Sequence, residues 1–176
     1  MQSIRHARGF TLIELLIVLA IVSTLTAKLI PAFSPALRDG NNTSQANTIV
    51  AGLILARNDA IKFGMPVNIC ASADGETCSG TWNDGWMVYY TNPKTDAATV
   101  VRVFPPLSAN STLTSSGGDQ FTFNAIGAAS ATSTFTLCDD RGTGHAREVV
   151  LVPTGEVESS RTPMADTNGA AAASCS

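Results

Sequence analysis

The sequence predicts an α+β protein in which one long N-terminal helix packs on a C-terminal, β-rich globular head. Three observations predict it. A long apolar run extends from Phe10 to Ile30, a second stretch of helical periodicity ends at Gly64-Met65-Pro66, and short β-type segments separated by turn residues follow Pro66. At 176 residues with 44% hydrophobic and 14% charged side chains, the chain suits one domain with an appendage and is too apolar for disorder.

Residues 1–9 form a short basic leader containing Arg5 and Arg8. The segment 10–30 that follows would be ~31 Å long as a helix, enough to span the hydrocarbon core of a bilayer. By the positive-inside rule the two arginines hold the N-terminus in the cytoplasm and the rest of the chain is exported. A cleaved secretory signal fits badly, because the best cut, after Ala27, puts the bulky Leu25 at the −3 position. A buried helix of a soluble domain rarely needs so uniform a run. Glu14 is the anomaly, since a carboxylate inside a membrane helix costs ~2.5–3.5 kcal/mol and so calls for a partner or a function. Lys28 is no such partner, because fourteen residues of helix separate the two by ~21 Å. Favourable contact with the positive helix N-terminus is the bland alternative.

Gly9-Phe10-Thr11-Leu12-Ile13-Glu14, with a basic leader before it and an apolar helix after it, resembles the prepilin cleavage and methylation motif of type IV pilins and type II secretion pseudopilins. The resemblance implies that a membrane prepilin peptidase cuts between Gly9 and Phe10 and N-methylates Phe10. It also implies that Glu14 meets the N-terminal amine of a neighbouring subunit during assembly. A buried carboxylate and ammonium then offset each other's desolvation and fix axial register. The implied location is the inner membrane, single-pass with the head in the periplasm, and then a cell-surface pilus.

Residues 31–65 are expected to continue the helix outside the membrane. Pro31 and Pro35 can kink it, and Asp39-Gly40-Asn41-Asn42 is weak helix material, so a bend or melted turn is expected there. Ile49, Leu53, Ala56, Ala60 and Phe63 recur at spacings of 4, 3, 4 and 3, one face of a helix turned toward a sheet. The head, residues 66–176, reads as strands at Val67 to Ala71, Trp86 to Thr91, Val100 to Phe104, Phe121 to Asn124, Thr134 to Cys138 and Glu148 to Val152. Glu156 to Ser159 is expected to return as a hairpin after Pro153-Thr154-Gly155. Ser108 to Gly118 and the tail after Pro163 read as loops.

Ala56-Arg57-Asn58-Asp59-Ala60-Ile61, Cys70, Trp82-Asn83-Asp84-Gly85-Trp86, Asp139-Asp140-Arg141-Gly142 and Ala146-Arg147 sharpen the resemblance. They are similar to the GspH/FimT/FimU group of minor pilins and a minor pseudopilin, whose pilin-like fold carries a β-rich head on the helix. FimT-like competence pilins of this group carry a Gly-Arg-x-Arg motif in a C-terminal hairpin. The matching place here is Gly155-Glu156-Val157-Glu158, where both arginines are glutamates. Carboxylates repel phosphate, so nucleic acid is not the expected partner.

Export puts the four cysteines in an oxidising compartment, where three pairings are possible. The favoured one joins Cys70 to Cys78 across a short loop and Cys138 to Cys175, tying the tail to a strand. The absence of a close Cys or His pair argues against zinc. His145 lies near Asp139 and Asp140 in a Gly-rich turn without a recognisable nucleophile or metal setting, and reads as a loop histidine. Asp74-Gly75-Glu76 and Asp84-Gly85 lack calcium-loop spacing. Arg141 and Arg147 are candidates to anchor these acids. Trp82, Trp86, Tyr89 and Tyr90 are candidates for a binding platform, against which strand alternation expects half of them in the core.

From residue 10 onward nine basic residues stand against 14 acidic ones, a net charge of −5, which excludes general nucleic-acid affinity. No enzyme and no cofactor are expected. The expected function is that of a minor pilin that helps prime a type IV pilus and sits at or near its tip. Its partners would be other minor pilins, the major pilin and the prepilin peptidase. The alternatives are a FimT-like DNA-uptake pilin and a GspH-like minor pseudopilin of a type II secretion system.

Overall fold

The computed structural model describes residues 10–108, 110–160 and 175, without the side chains of residues 28–32. The leader, residues 1–9, and most of the tail lie outside the described residues. Two compact units are present, one ending at Asp39 and the other beginning at Gly40.

Helix α1 runs from Leu12 to Phe63 and contributes to both units. The helix continues through Pro31, Pro35 and Asp39-Gly40-Asn41-Asn42, where the sequence predicts a bend or melted turn. The reason lies in the side chains that follow Gly40. Asn and Ser disfavour helices when their side chains compete for nearby backbone groups. Here they are engaged by the head instead. The Asn41 amide donates to Ser108 Oγ (3.1 Å) and the Asn42 amide to Asp139 Oδ2 (2.8 Å). Gln45 Nε2 donates to the hydroxyls of Ser108 and Ser111, and Arg147 donates to Thr43 Oγ1. Tertiary bonds outweigh the weak local propensity.

Among the described residues the head has eight strands: β1 (Val67–Ala71), β2 (Trp86–Thr91), β3 (Ala98–Phe104), β4 (Ser111–Ser115), β5 (Gln120–Phe123), β6 (Ser133–Asp139), β7 (Arg147–Leu151) and β8 (Val157–Ser160). They form two antiparallel sheets, β3-β2-β1-β5 and β4-β6-β7-β8. Strand β4 corrects the expectation of a loop from Ser108 to Gly118. Its inward positions are Ser111 and Leu113, so only one is a large apolar residue and the alternation is hard to see. Its pairing with β6, Leu113 opposite Leu137, supplies what propensity lacks. The last hairpin is shifted by one residue: β8 starts at Val157, and Glu156 belongs to the turn.

Ile49, Leu53, Ala56 and Ala60 are buried as the stripe predicts. Phe63 departs from it: 40% exposed, its ring sits 5.4 Å from that of Tyr90 at the margin of the core. The helix meets Val67, Ile69, Trp86, Phe121 and Phe123 of one sheet and Phe135, Leu137, Val149 and Leu151 of the other in one apolar cluster. Trp82 joins the sheets, its ring 6.4 Å from Trp86, 6.1 Å from Phe121 and 5.0 Å edge-on to Phe135. Its indole N–H donates to the Gly118 carbonyl. Close approach of the helix requires Gly52, where a Cβ would lie 2.8 Å from Trp86 Nε1. Both tryptophans are core, whereas Tyr89 and Tyr90 are half-buried.

Candidate functional site

The N-terminal end of α1 is built by Thr11. Its side-chain oxygen accepts the Glu14 N–H at 3.3 Å and its carbonyl accepts the Leu15 N–H at 3.2 Å, an N-cap arrangement that places Glu14 in the first turn. The T-x-x-E spacing signals such a cap, and Thr11's part in it is additional to the role the motif suggests for Glu14. Gly9 lies outside the described residues; Phe10 is described and exposed. Every large hydrophobic side chain from Phe10 to Leu25 is 49–82% exposed. Within this unit the hydroxyls of Ser23, Thr24 and Thr26 bond back to carbonyls one turn earlier, so these three hydroxyls are satisfied internally. Among the described residues no helix is long and apolar enough to cross a membrane; the side chains of residues 28–30, the end of the sequence's apolar run, are not among them.

In the head, Cys70 is bonded to Cys78 and Cys138 to Cys175, with Cα–Cα distances of 5.6 and 5.8 Å. The first disulfide closes the loop after β1, and Asp74 organises it. Asp74 accepts the Thr77 hydroxyl (2.7 Å), the Thr77 N–H (2.8 Å) and the Glu76 N–H (2.9 Å). The Thr77 bonds, then the Glu76 bond, hold its carboxyl well below the usual carboxylate range. Asp84 does the same for the Trp82 turn, its pKa lowered by the backbone and side-chain bonds from Thr81. These acids serve their own loops. Among the described residues no group of His, Cys, Asp and Glu is arranged to hold a metal ion.

Asp139 closes a third network. Burial resists its ionisation, but bonds from the Arg141 side chain and backbone, the guanidinium charge and the Asn42 amide outweigh that, so its pKa lies below the ordinary value. The Arg141–Asp139 pair is 2.6 Å long and mostly buried. Arg147 serves Thr43. His145 is exposed on a short 3-10 turn, Thr143–His145. The geometry thus turns the Asp-Asp-Arg-Gly segment into a clamp on the helix.

The hairpin from β7 to β8 presents the glutamates. Gly155 has φ 76°, and a Cβ there would collide with the Gly127 carbonyl. Glu156 and Glu158 are exposed. Arg57 crosses from the helix to donate to the carbonyls of Gly127 and Thr154, holding this hairpin beside the Asn124–Ala129 turn.

Residues 45–155 match the family described as Type II transport protein GspH, and residues 4–27 match the prokaryotic N-terminal methylation motif. The type IV wide pilus major component PilA4 of Thermus thermophilus is 48% identical over 59 residues, which cover 34% of this chain and 39% of that protein. Its whole-protein role is therefore matched over well under half its length. Among solved structures, the type IV minor pilin FimU of Pseudomonas aeruginosa superposes with a TM-score of 0.55 at 21% identity, covering 67% of this chain and 91% of FimU. The minor pseudopilin EpsH of the Vibrio cholerae Type 2 Secretion System gives 0.53 at 11% identity, covering 69% and 97%. The match over residues 45–155 shows that the chain belongs to the GspH family, and its N-terminal helix and antiparallel head have the pilin fold.

Proposed function

We propose that this chain is a minor pilin that helps prime assembly of a type IV pilus and sits at or near its tip. Residues 1–9 are the leader removed by the prepilin peptidase, with cleavage between Gly9 and Phe10 and N-methylation of Phe10. Residues 10–30 cross the inner membrane before assembly and join the filament core afterwards. Residues 31–65 carry the helix into the periplasm, and 66–176 form the head. The observation that carries this reading is the exposure of every large hydrophobic from Phe10 to Leu25 on a capped helix. Such a surface needs lipid or other apolar helices around it. Exchange of lipid for helices gives the same side chains two environments, as an assembling subunit requires. Glu14 then pairs with a neighbour's N-terminal amine, replacing solvation that neither group keeps.

The head supports an assembly role over DNA uptake. Glu156 and Glu158 project from the hairpin where a DNA-uptake pilin of this group carries arginines. The pseudopilin reading has its own support in the GspH description and the EpsH likeness. The pilus reading is favoured by the 48% identity of the PilA4 segment. Glu14→Ala is the test. Full-length protein should still accumulate and be processed, while its amount in sheared pili falls at least tenfold, measured by immunoblot. Wild-type incorporation would refute the role of Glu14. Loss of type II secretion with normal piliation on deleting the chain would favour the pseudopilin.

A further inference from the structure

We infer that Ile126, with Ile54 and Ile61 of the helix, forms a preformed contact surface for a different pilin chain whose own apolar patch is rimmed by basic side chains. The inference rests on the assembly reading above and adds the surface and the chemistry of its partner. Ile126 is 81% exposed, the most of any large hydrophobic described in the head. It does not sit on a loose tip. The Asn124 side chain accepts the N–H groups of Ile126 (3.1 Å) and Ala128 (2.9 Å), and the Asn124 backbone exchanges bonds with Gly127 and Ala128. Arg57 donates to the Gly127 carbonyl, and the Ala129 N–H donates to the Pro153 carbonyl. Gly127, at φ 83°, lies so near the helix that a Cβ would come within 2.7 Å of Ile61 Cδ1.

An aliphatic side chain held in water by a fully bonded turn adds nothing to the core of its own head. Held in place beforehand, it loses little conformational freedom on binding, which is the advantage of a preorganised anchor. Ile54 and Ile61 are seven residues apart, on one side of the helix, and are 43% and 49% exposed. Exposed Asn58 stands between them as a hydrogen-bonding group.

Charge decides the kind of partner. Gly155 abuts the Gly127 carbonyl, so exposed Glu156 borders the Ile126 turn, with Glu158 two residues on. Among the described residues, Arg57 keeps its charge but is half-buried against two carbonyls, and Lys62 lies over the Phe63 ring, whereas both glutamates beside the Ile126 turn are exposed. Two copies meeting through this patch about a two-fold axis would oppose their glutamates. A different chain with a basic rim meets them favourably.

The test uses full-length protein in cells that assemble the filament. A photoreactive p-benzoylphenylalanine at position 126 should give a cross-link to another pilin, identified by mass spectrometry, and Glu156→Lys should lower its yield several-fold. Ile126→Asp should reduce the chain in sheared filaments at least tenfold while leaving its thermal stability and cellular amount unchanged. Cross-linking to a second copy, to a non-pilin or to nothing would overturn the inference, as would normal incorporation of Ile126→Asp. Deleting the whole chain separates the two levels. If deletion stops assembly while Ile126→Asp is wild-type, only this surface is wrong; if filaments form normally without the chain, the assembly reading itself fails.

Discussion

Helix α1 presents leucines and isoleucines in two opposite circumstances. Leu16, Leu19 and Leu25, in the unit ending at Asp39, are each 55% exposed, whereas Ile49 and Leu53, in the head unit, are at most 1% exposed. Residue type is the same; what differs is whether the chain supplies the partner. For the second group it supplies two sheets and a pair of tryptophans. For the first the described residues supply none, and the apolar surface is left for an environment outside the chain. Hydrophobicity alone therefore does not say whether a side chain stabilises a fold or an assembly.

Matched truncations should break that comparison if it is wrong. Leu53→Ala should cost the head about 2–5 kcal/mol by leaving a cavity in a packed site. Leu19→Ala should leave head stability within about 0.5 kcal/mol, as exposed substitutions do. Thermal and denaturant unfolding of both variants would check this. Equal destabilisation would show that the N-terminal half is also packed by its own chain.

A smaller effect separates regions inside the head. Cys138 and Cys175 are 37 residues apart and Cys70 and Cys78 eight. On the chain-entropy view, removing the first bridge should cost about 3.8 kcal/mol and the second about 2.5. Serine double mutants compared by urea unfolding would rank them. An inverted order would mean that local packing of the Asp74 loop outweighs loop length.

The smallest effect concerns acid. Asp139 titrates below its ordinary value in the folded head, so its contribution is present above the unfolded pKa of about 3.9 and is lost as pH falls through the folded pKa. Asp74 and Asp84 act in the same direction. Stability should be flat near neutrality and fall below about pH 4. Asp139→Asn should flatten part of that fall, with the residual slope left to the two loop acids. An unchanged profile would assign the acid sensitivity elsewhere.

Much of the fold was legible because its signals are local and strong. The 4-3-4-3 stripe located the buried helix face through Ala60, and β-branched and aromatic runs located β1 and β2. Phe63 fell outside the stripe's rule because the helix ends there and Gly64 turns the chain away, φ 64°. Strand β4 was hidden by its serines and threonines, which resemble loop residues until Leu137 opposite makes Leu113 a core position. The helical run through Asn41 and Asn42 was illegible for a similar reason: its supports, Ser108 and Asp139, lie 67 and 97 residues away. At the candidate site, the Glu14 motif and the hairpin glutamates could be read directly. Ile126 could not, since exposure is a property of the folded surface.

The Cys138–Cys175 bond has a mechanical consequence. A filament subunit can be pulled, and a chain drawn out from one end lengthens by the residues it releases. The bridge spans a sequence separation of 37 residues and withholds about 120–130 Å of contour length at about 3.3–3.6 Å per residue. A head whose sheets part under load therefore pays out a tether shorter by that length while the bridge is oxidised than once it is reduced.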